Sequence, residues 1–295
     1  SYGEVNSNIL VGPEKSESQR LNSLDAQASS SGSRPDLNLD LRYTFAESGT
    51  QLFLGNVIQD ALLLDFTQQF GVRQEMGNKG IGSVAYVFSG IPGEVWRDPY
   101  QTGSDRDDTD RTSSGLRLGW DGIWGSPVSA TYTYRSVEID QEQSGESITW
   151  LTDGERAELD RNGDSHELGL TYNWRLENGS QLTPGLTYSR YAADGEAASY
   201  DRFGAQLTYA LLQRKYSLIT NMLVNRVEYD GVNPVFGRTV EADEWALNAT
   251  FMWHQLLGVD PLSALVSASY GESDANVDFF DTDLSRVSAG LLYRF

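Results

Sequence analysis

Between positions 285 and 295 the chain alternates with a period of two. Val287, Ala289, Leu291, Tyr293 and Phe295 fall on one side, and Arg286, Ser288, Gly290, Leu292 and Arg294 on the other. That period belongs to a strand, whose successive side chains point to opposite faces; here one face is apolar and the other mostly small or charged. The pattern is clearest at 36–45, where Leu37, Leu39, Leu41, Tyr43 and Phe45 alternate with Asp36, Asn38, Asp40, Arg42 and Thr44. It recurs at 112–121 (Leu116, Leu118 and Trp120 against Arg117, Gly119 and Asp121), at 165–175 and at 244–254. One sheet with one oily face is what such a chain builds.

Taken in order, fourteen strands are predicted, at 2–12, 36–45, 51–57, 62–74, 81–89, 112–121, 128–137, 165–175, 182–191, 200–211, 216–229, 244–254, 262–271 and 285–295. At 81–89 both faces are apolar or small, so its phase is open, and Pro184 weakens 182–191 because proline donates nothing to a ladder. Short connections at 46–50, 75–80, 122–127, 176–181, 212–215 and 255–261 alternate with mostly longer ones, apart from 58–61. Asn178-Gly179 is a hairpin signal. Polar stretches at 13–34, 90–110 and 138–164 read as exposed loops.

No stretch approaches the roughly 18 apolar residues of a membrane helix, and mean hydropathy is -0.43. Membrane barrels escape that test, since only alternate residues face lipid. On the fourteen-strand assignment, Phe45, Trp120, Trp174, Tyr209, Tyr216, Trp253 and Phe295 gather at the short-turn end, and Tyr134, Tyr188, Phe203, Trp245 and Tyr270 at the other. Two aromatic girdles are the mark of a transmembrane barrel. The fold class is therefore all-β: a transmembrane antiparallel up-and-down β-barrel of about fourteen strands, a single domain over 1–295. Short turns are periplasmic in such barrels, which makes both termini periplasmic and the protein integral to the outer membrane. Strand fourteen must pair with strand one, because each unpaired backbone group in hydrocarbon costs several kcal/mol.

Lys+Arg of 22 against Asp+Glu of 42 leaves a net charge of -20, which argues against nucleic acid as a partner. There is no cysteine, so thiolate chemistry, disulfides and zinc-thiolate sites are excluded. The N-terminal Ser1-Tyr2-Gly3-Glu4 lacks the regions of a signal peptide, and the expectation is that one has been removed.

The last strand resembles the closing strand of Gram-negative outer-membrane barrels, and in that resemblance Tyr293 and Phe295 are the positions read by the barrel-assembly machinery. Five further stretches, Leu21-Asn22-Ser23-Leu24, Gly93-Glu94-Val95-Trp96-Arg97-Asp98-Pro99-Tyr100, Asp160-Arg161-Asn162-Gly163-Asp164-Ser165, Asn233-Pro234-Val235-Phe236 and Val277-Asp278-Phe279-Phe280, sit almost entirely in the predicted outer loops. They resemble an uncharacterised family of gamma-proteobacterial outer-membrane proteins, a domain of unknown function. The resemblance implies location and architecture, and no activity.

The inward face carries Asp36, Asp40, Arg42, Asp65, Arg73, Arg117, Asp121, Arg135, Arg175, Arg202, Arg286 and Arg294, with Thr, Asn, Gln and Gly between them. Charges of both signs out of reach of lipid line a water path or, in a plugged barrel, neutralise one another. Trp96, Arg97, Asp98 and Tyr100 form either a constriction that meets a ligand or a packed lid. Asp160, Asn162 and Asp164, and the cluster from Asp105 to Asp110, match parts of a calcium loop without its glycine and its terminal glutamate, so no metal and no cofactor is assigned. An enzyme would draw on His166 or His254, and the tripeptide Asp164-Ser165-His166 cannot be a triad because adjacent strand residues face apart. The chain is read as no enzyme. The expected function is a porin-like channel for small hydrophilic solutes, monomeric, with outer-membrane lipids and lipopolysaccharide as surroundings. The alternative is a non-conducting surface barrel that binds a ligand or partner through its loops, as a receptor or adhesin.

Overall fold

The computed structural model describes residues 1–56 and 67–295. Among them, seventeen strands make one sheet: β1 (Tyr2–Ser7), β2 (Ser29–Ser33), β3 (Asp40–Phe45), β4 (Thr50–Asn56), β5 (Thr67–Glu75), β6 (Ile81–Ser89), β7 (Gly93–Trp96), β8 (Asp108–Asp121), β9 (Val128–Ile139), β10 (Gly163–Tyr172), β11 (Trp174–Arg175), β12 (Gln181–Ala193), β13 (Tyr200–Leu212), β14 (Tyr216–Asn233), β15 (Arg238–Trp253), β16 (Leu262–Ala275) and β17 (Thr282–Tyr293). Every pairing is antiparallel, and apart from the short β7 and β11 each strand from β4 to β17 pairs with the one before it. The ends of this meander meet at β1, whose Tyr2 lies opposite Val287 of β17 on one edge and Ser33 of β2 on the other. First and last strands pair, as the cost of an open edge requires.

Each of the fourteen predicted segments contains or overlaps one of these strands. The additional three have local causes. β2 falls inside 13–34, where the run Ser29-Ser30-Ser31-Gly32-Ser33 has no apolar alternation to betray a strand, yet pairs with β1. β7 lies inside the loop 90–110 and pairs with the start of β8. β11 is split from β10 at Asn173, whose amide turns to Pro127 O at 2.8 Å. The first strand stops at Ser7 rather than 12, and the stretch 13–34 is not a plain exposed loop: it holds a short helix, α1 (Lys15–Ser18), and buries Leu21 and Ala28. The predicted segment 62–74 and the turn 58–61 lie partly or wholly outside the described residues.

Burial follows the period of two. Leu168, Leu170 and Tyr172 on β10 are exposed, whereas Gly169 between them is buried. On β6 the open phase resolves, with Val84 and Tyr86 outward and Ala85 and Val87 inward. Aromatic pairs mark both ends: Tyr188 with Phe203 (5.0 Å) and Trp245 with Tyr270 (5.2 Å) near the long loops, Trp120 with Trp124 (4.9 Å) and Tyr43 with Phe45 (5.0 Å) near the short turns. Tyr293 and Phe295 stand 60% and 95% exposed at the short-turn end.

A Cβ on Gly115 of β8 would lie 1.8 Å from the Tyr134 carbonyl oxygen of β9. Gly115→Ala is therefore expected to destabilise the wall by about 1–3 kcal/mol through overpacking. Thermal unfolding in detergent checks this, and an unchanged midpoint would mean that the two strands part without cost.

The main hydrophobic cluster is not in the wall but at the long-loop end. Leu21, Ala28, Tyr100, Ile148, Leu151, Leu159, Ala197, Val277 and Phe279 pack there on the strand tops Val227, Val240, Ala242 and Ala275. A second short helix, α2 (Asp153–Ala157), belongs to this layer and starts with a capping box between Thr152 and Glu155. Loops that were read as solvated thus make a cap.

Candidate functional site: the lumen wall and its cap

Register fixes which side chains share the inner face. Arg117, Thr133, Glu167, Ser189 and Arg202 lie opposite one another in turn across β8, β9, β10, β12 and β13. The next inward row toward the short turns runs Arg73, Ser83, Gly119, Thr131, Gly169, Thr187, Gly204, Asn225 and Glu244. Two rows further, Thr183, Thr208, Asn221, Asn248, Ser269 and Arg286 continue the polar surface. Where glycines occupy a row, neighbours lean into the vacated space: a Cβ on Gly204 would meet Thr187 Oγ1 at 2.4 Å and Asn225 Oδ1 at 2.3 Å.

The inward charges are partly paired. Arg73 donates to Asp121 at 2.7 Å, with both side chains more than a third exposed. Arg202 meets Glu244 at 3.2 Å, and Glu244 also accepts from Asn225 Nδ2 at 2.9 Å. Arg42 is bound to Asp40 at 2.7 Å. Asp36 accepts from Arg286 and lies 3.3 Å from the N-terminal ammonium. Arg117 and Arg135 are inward and engaged by neighbouring groups. Arg175 is exposed near the short turns, and Arg294 contacts Met252 Sδ at 3.9 Å. Asp65 lies outside the described residues. The sequence reading passed over Glu167 and Glu244, which strand phase alone would have placed on this face.

Between β8 and β13 the wall holds a polar recess of about 150 Å³, lined by Asp121, Ser129, Thr131, Glu167, Gly169, Thr171, Asn173, Thr187 and Gln206. At roughly 30 Å³ per water, that is room for a handful of waters or a few-carbon solute.

Over the other end sits the cap. Trp96, Asp98 and Tyr100 are all buried in it. The Asp98 carboxylate accepts from the backbone amides of Tyr100 (3.0 Å), Gly145 (2.9 Å) and Ser147 (2.9 Å), tying two loops together. Tyr100 stacks on Phe279 at 5.1 Å and accepts from Asn233 Nδ2 at 3.0 Å. Burial pushes its hydroxyl up to about 12. Arg97 lies half-buried with Asp107 at 3.7 Å. Of the four lid or constriction candidates, Trp96, Asp98 and Tyr100 are buried by packing within the cap, and Arg97 stays partly exposed.

Sequence reasoning missed the residue at the centre of the cap. Arg106 is fully buried, with its guanidinium 4.3 Å from the Trp96 ring. It donates to the carbonyls of Asn8 (2.7 Å), Pro99 (3.2 Å) and Ser18 (2.6 Å), so one side chain holds three chain segments. Burial lowers its pKa to about 10, and nearby Asp98 opposes that shift; it remains charged at pH 7. A lone cation inside the run Asp105 to Asp110 was the available signal.

The histidines are spent structurally. His166 is exposed on the outer face and shares a hydrogen bond with Tyr132 (2.8 Å). His254 links Ser217 (2.7 Å) and Ser263 (3.4 Å) across three strands near the short turns. Among the described residues, Ser263 and not a carboxylate meets its second nitrogen, unlike the arrangement that activates a serine. Asp160 accepts from Asn162 N and Nδ2, and Asp164 from Tyr134. Among the described residues no three metal-ligating side chains converge.

A ring of antiparallel strands, apolar outside and charged inside, is the architecture of an integral outer-membrane β-barrel. The family model described as a protein of unknown function (DUF2860) matches residues 1–294. The chain belongs to the DUF2860 family. No curated protein matches the sequence. Among solved structures, this DUF2860 chain is similar to OmpT, an outer membrane protein of Vibrio cholerae, at 9% identity and a TM-score of 0.40, covering 99% of this chain and 96% of that one. OpdQ of Pseudomonas aeruginosa follows at 12% identity and 0.35, covering 91% and 85%. OccK8 (OprE) of the same organism stands at 11% and 0.36, covering 95% and 85%. Overlaps this loose carry no function across.

Proposed function

We propose that this DUF2860 protein is a porin-like channel of the outer membrane for small hydrophilic solutes, with its outer mouth narrowed by the packed loop cap. One observation carries the reading: charged and amide side chains occupy the inward face at successive registers, from Arg135 and Glu167 down to Arg286, and many stay half-exposed. A barrel stabilised by its interior alone would be expected to bury such groups in full, since a partly wetted ion pair adds little stability. In this reading the short turns and the C-terminus face the periplasm and the cap faces outward, amid lipopolysaccharide. The chain is a single barrel domain, inserted by the barrel-assembly machinery, that works as a monomer with no catalytic role, and the lumen wall is its solute site.

Single-channel recording in planar bilayers tests this. Discrete openings in KCl are expected, small for the barrel's girth because of the cap. A silent membrane across voltages and salts, with correctly folded protein inserted, would overturn the channel and favour the loop-binding surface barrel.

A further inference from the structure

The short turns bring the chain back at the level of the lipid headgroups, and two of them are built alike. In the turn after β8, Trp120 is followed by Gly122 and Trp124 at φ of +61° and +50°. In the turn after β15, Trp253 is followed at the same spacing by Gln255 and Leu257 at +55° and +54°. Among the described residues, these two turns hold every non-glycine position of left-handed φ. Bulky side chains adopt that conformation only where their surroundings enforce it, and such strain gathers at functional places. Here it leaves the tips Trp124 and Leu257 71% and 91% exposed, and it sets Trp124 edge-on to Trp120.

The turns differ in what faces the tryptophan on the neighbouring strand. Trp253 lies opposite Tyr216 of β14, whose ring stacks on Phe251 at 5.9 Å and fills the space. Trp120 lies opposite Gly82 of β6. The absent side chain leaves a groove of about 340 Å³ on the outer face, walled by Val72, Met76, Val84 and Trp120, with Gln74 across from Gly82. From Val72 to Met76 it runs about 13 Å along the strand, close to the hydrocarbon depth of one leaflet, about 15 Å. An apolar slot of that length, on a wall that meets lipid, takes an acyl chain. At its short-turn end stands Lys79, whose carbonyl accepts from Trp120 Nε1 at 2.7 Å. Lys79 is exposed and, among the described residues, forms no ion pair. The nearby carboxylates Glu75 and Asp121 fall on the inward phase with Arg73, which holds Asp121. The charge offered beside the groove on the lipid side is therefore positive.

We propose that this groove binds one inner-leaflet phospholipid, with an acyl chain along Gly82 and an anionic headgroup at Lys79. A lysine at headgroup level attracts anionic lipid, and the tryptophan pair fixes the depth at which it does so. The assignment rests on the periplasmic placement of the short turns and not on conduction. Native mass spectrometry of the intact protein, released from mild detergent after titration with phosphatidylglycerol, phosphatidylethanolamine or lipid A, tests it. One phosphatidylglycerol is expected to be retained, about fivefold ahead of phosphatidylethanolamine, and Lys79→Gln is expected to erase that margin. Gly82→Leu, whose new Cβ first meets the flexible end of Met76 (Cε, 3.1 Å), is expected to lose the lipid. Tyr216→Leu at the twin turn keeps it. No retained lipid in the unaltered protein, or equal retention of the two phospholipids, overturns the proposal, and both are read without any variant having to fold. A folded Gly82→Leu protein that keeps its lipid overturns it too, because the binding then lies elsewhere. Preference for lipid A overturns the site and the orientation together, whereas absence of any adduct leaves the orientation standing.

Discussion

Replacing Arg106 with methionine is expected to free the cap while leaving the wall intact. The substitution strands three carbonyl oxygens, those of Asn8, Pro99 and Ser18, and removes the cation from the face of Trp96. Loss of one partner from a buried, charge-assisted network costs about 3–5 kcal/mol. That corresponds to a rise of roughly two to four orders of magnitude in the fraction of molecules with the cap open. Lysine should not rescue it, because its compact ammonium cannot span the carbonyls that the planar guanidinium reaches from two nitrogens while lying over Trp96. Amide hydrogen exchange is the direct readout. Gly103 N, bonded to Leu21 O, and Arg106 N, bonded to Gln19 O, should lose protection, while amides of β13 and β14 keep theirs. If protection at Gly103 and Arg106 is unchanged, the cap is held by its apolar cluster and not by this cation. In bilayers the same variant should raise conductance, since the cap is the barrier proposed at the mouth.

The second large effect separates the two faces of one strand. Leu170 and Thr171 are neighbours on β10; the first is 46% exposed on the outer face and the second lines the inner recess. Leu170→Arg puts a charge against hydrocarbon and is expected to cost about 2–4 kcal/mol, the range for arginine near the midplane of an outer-membrane barrel. Thr171→Arg should cost less than about 1 kcal/mol, because the lumen already holds arginines and offers room for another. Folding into vesicles under urea titration measures both. Equal costs at the two positions would mean that the faces are not solvated differently.

The wall was legible because its physics is local. A period of two needs no tertiary information, and from β8 to β17 the predicted strands fall within a few residues of those formed, differing mostly by extending beyond the predicted ends at the long loops. Where the pattern had nothing to alternate, as in the serine run of β2, it failed. The cap was illegible for a different reason. Its order comes from contacts between residues far apart in the chain, Asp98 to Gly145 and Arg106 to Asn8, and no period or spacing announces them. Trp96, Arg97, Asp98 and Tyr100 read in sequence as either a constriction or a packed lid, because whether they face water or one another depends on segments that sequence order keeps apart. For the lumen, strand phase identified the arginines and would equally have supplied Glu167 and Glu244. Their ion pairs, by contrast, follow from the register between strands, which a single sequence does not display.

Everything rests on the outer face of this sheet meeting lipid chains while the inner face does not. The chain has no cysteine, so single cysteines at Glu167, Leu168, Leu170, Thr171, Tyr172 and Asn173 can each carry an environment-sensitive fluorophore, attached before folding into vesicles that contain chain-brominated lipid. Strong quenching at Leu168, Leu170 and Tyr172 with little at Glu167, Thr171 and Asn173 is the predicted outcome. Quenching that fails to alternate along this strand would contradict a lipid-facing barrel wall.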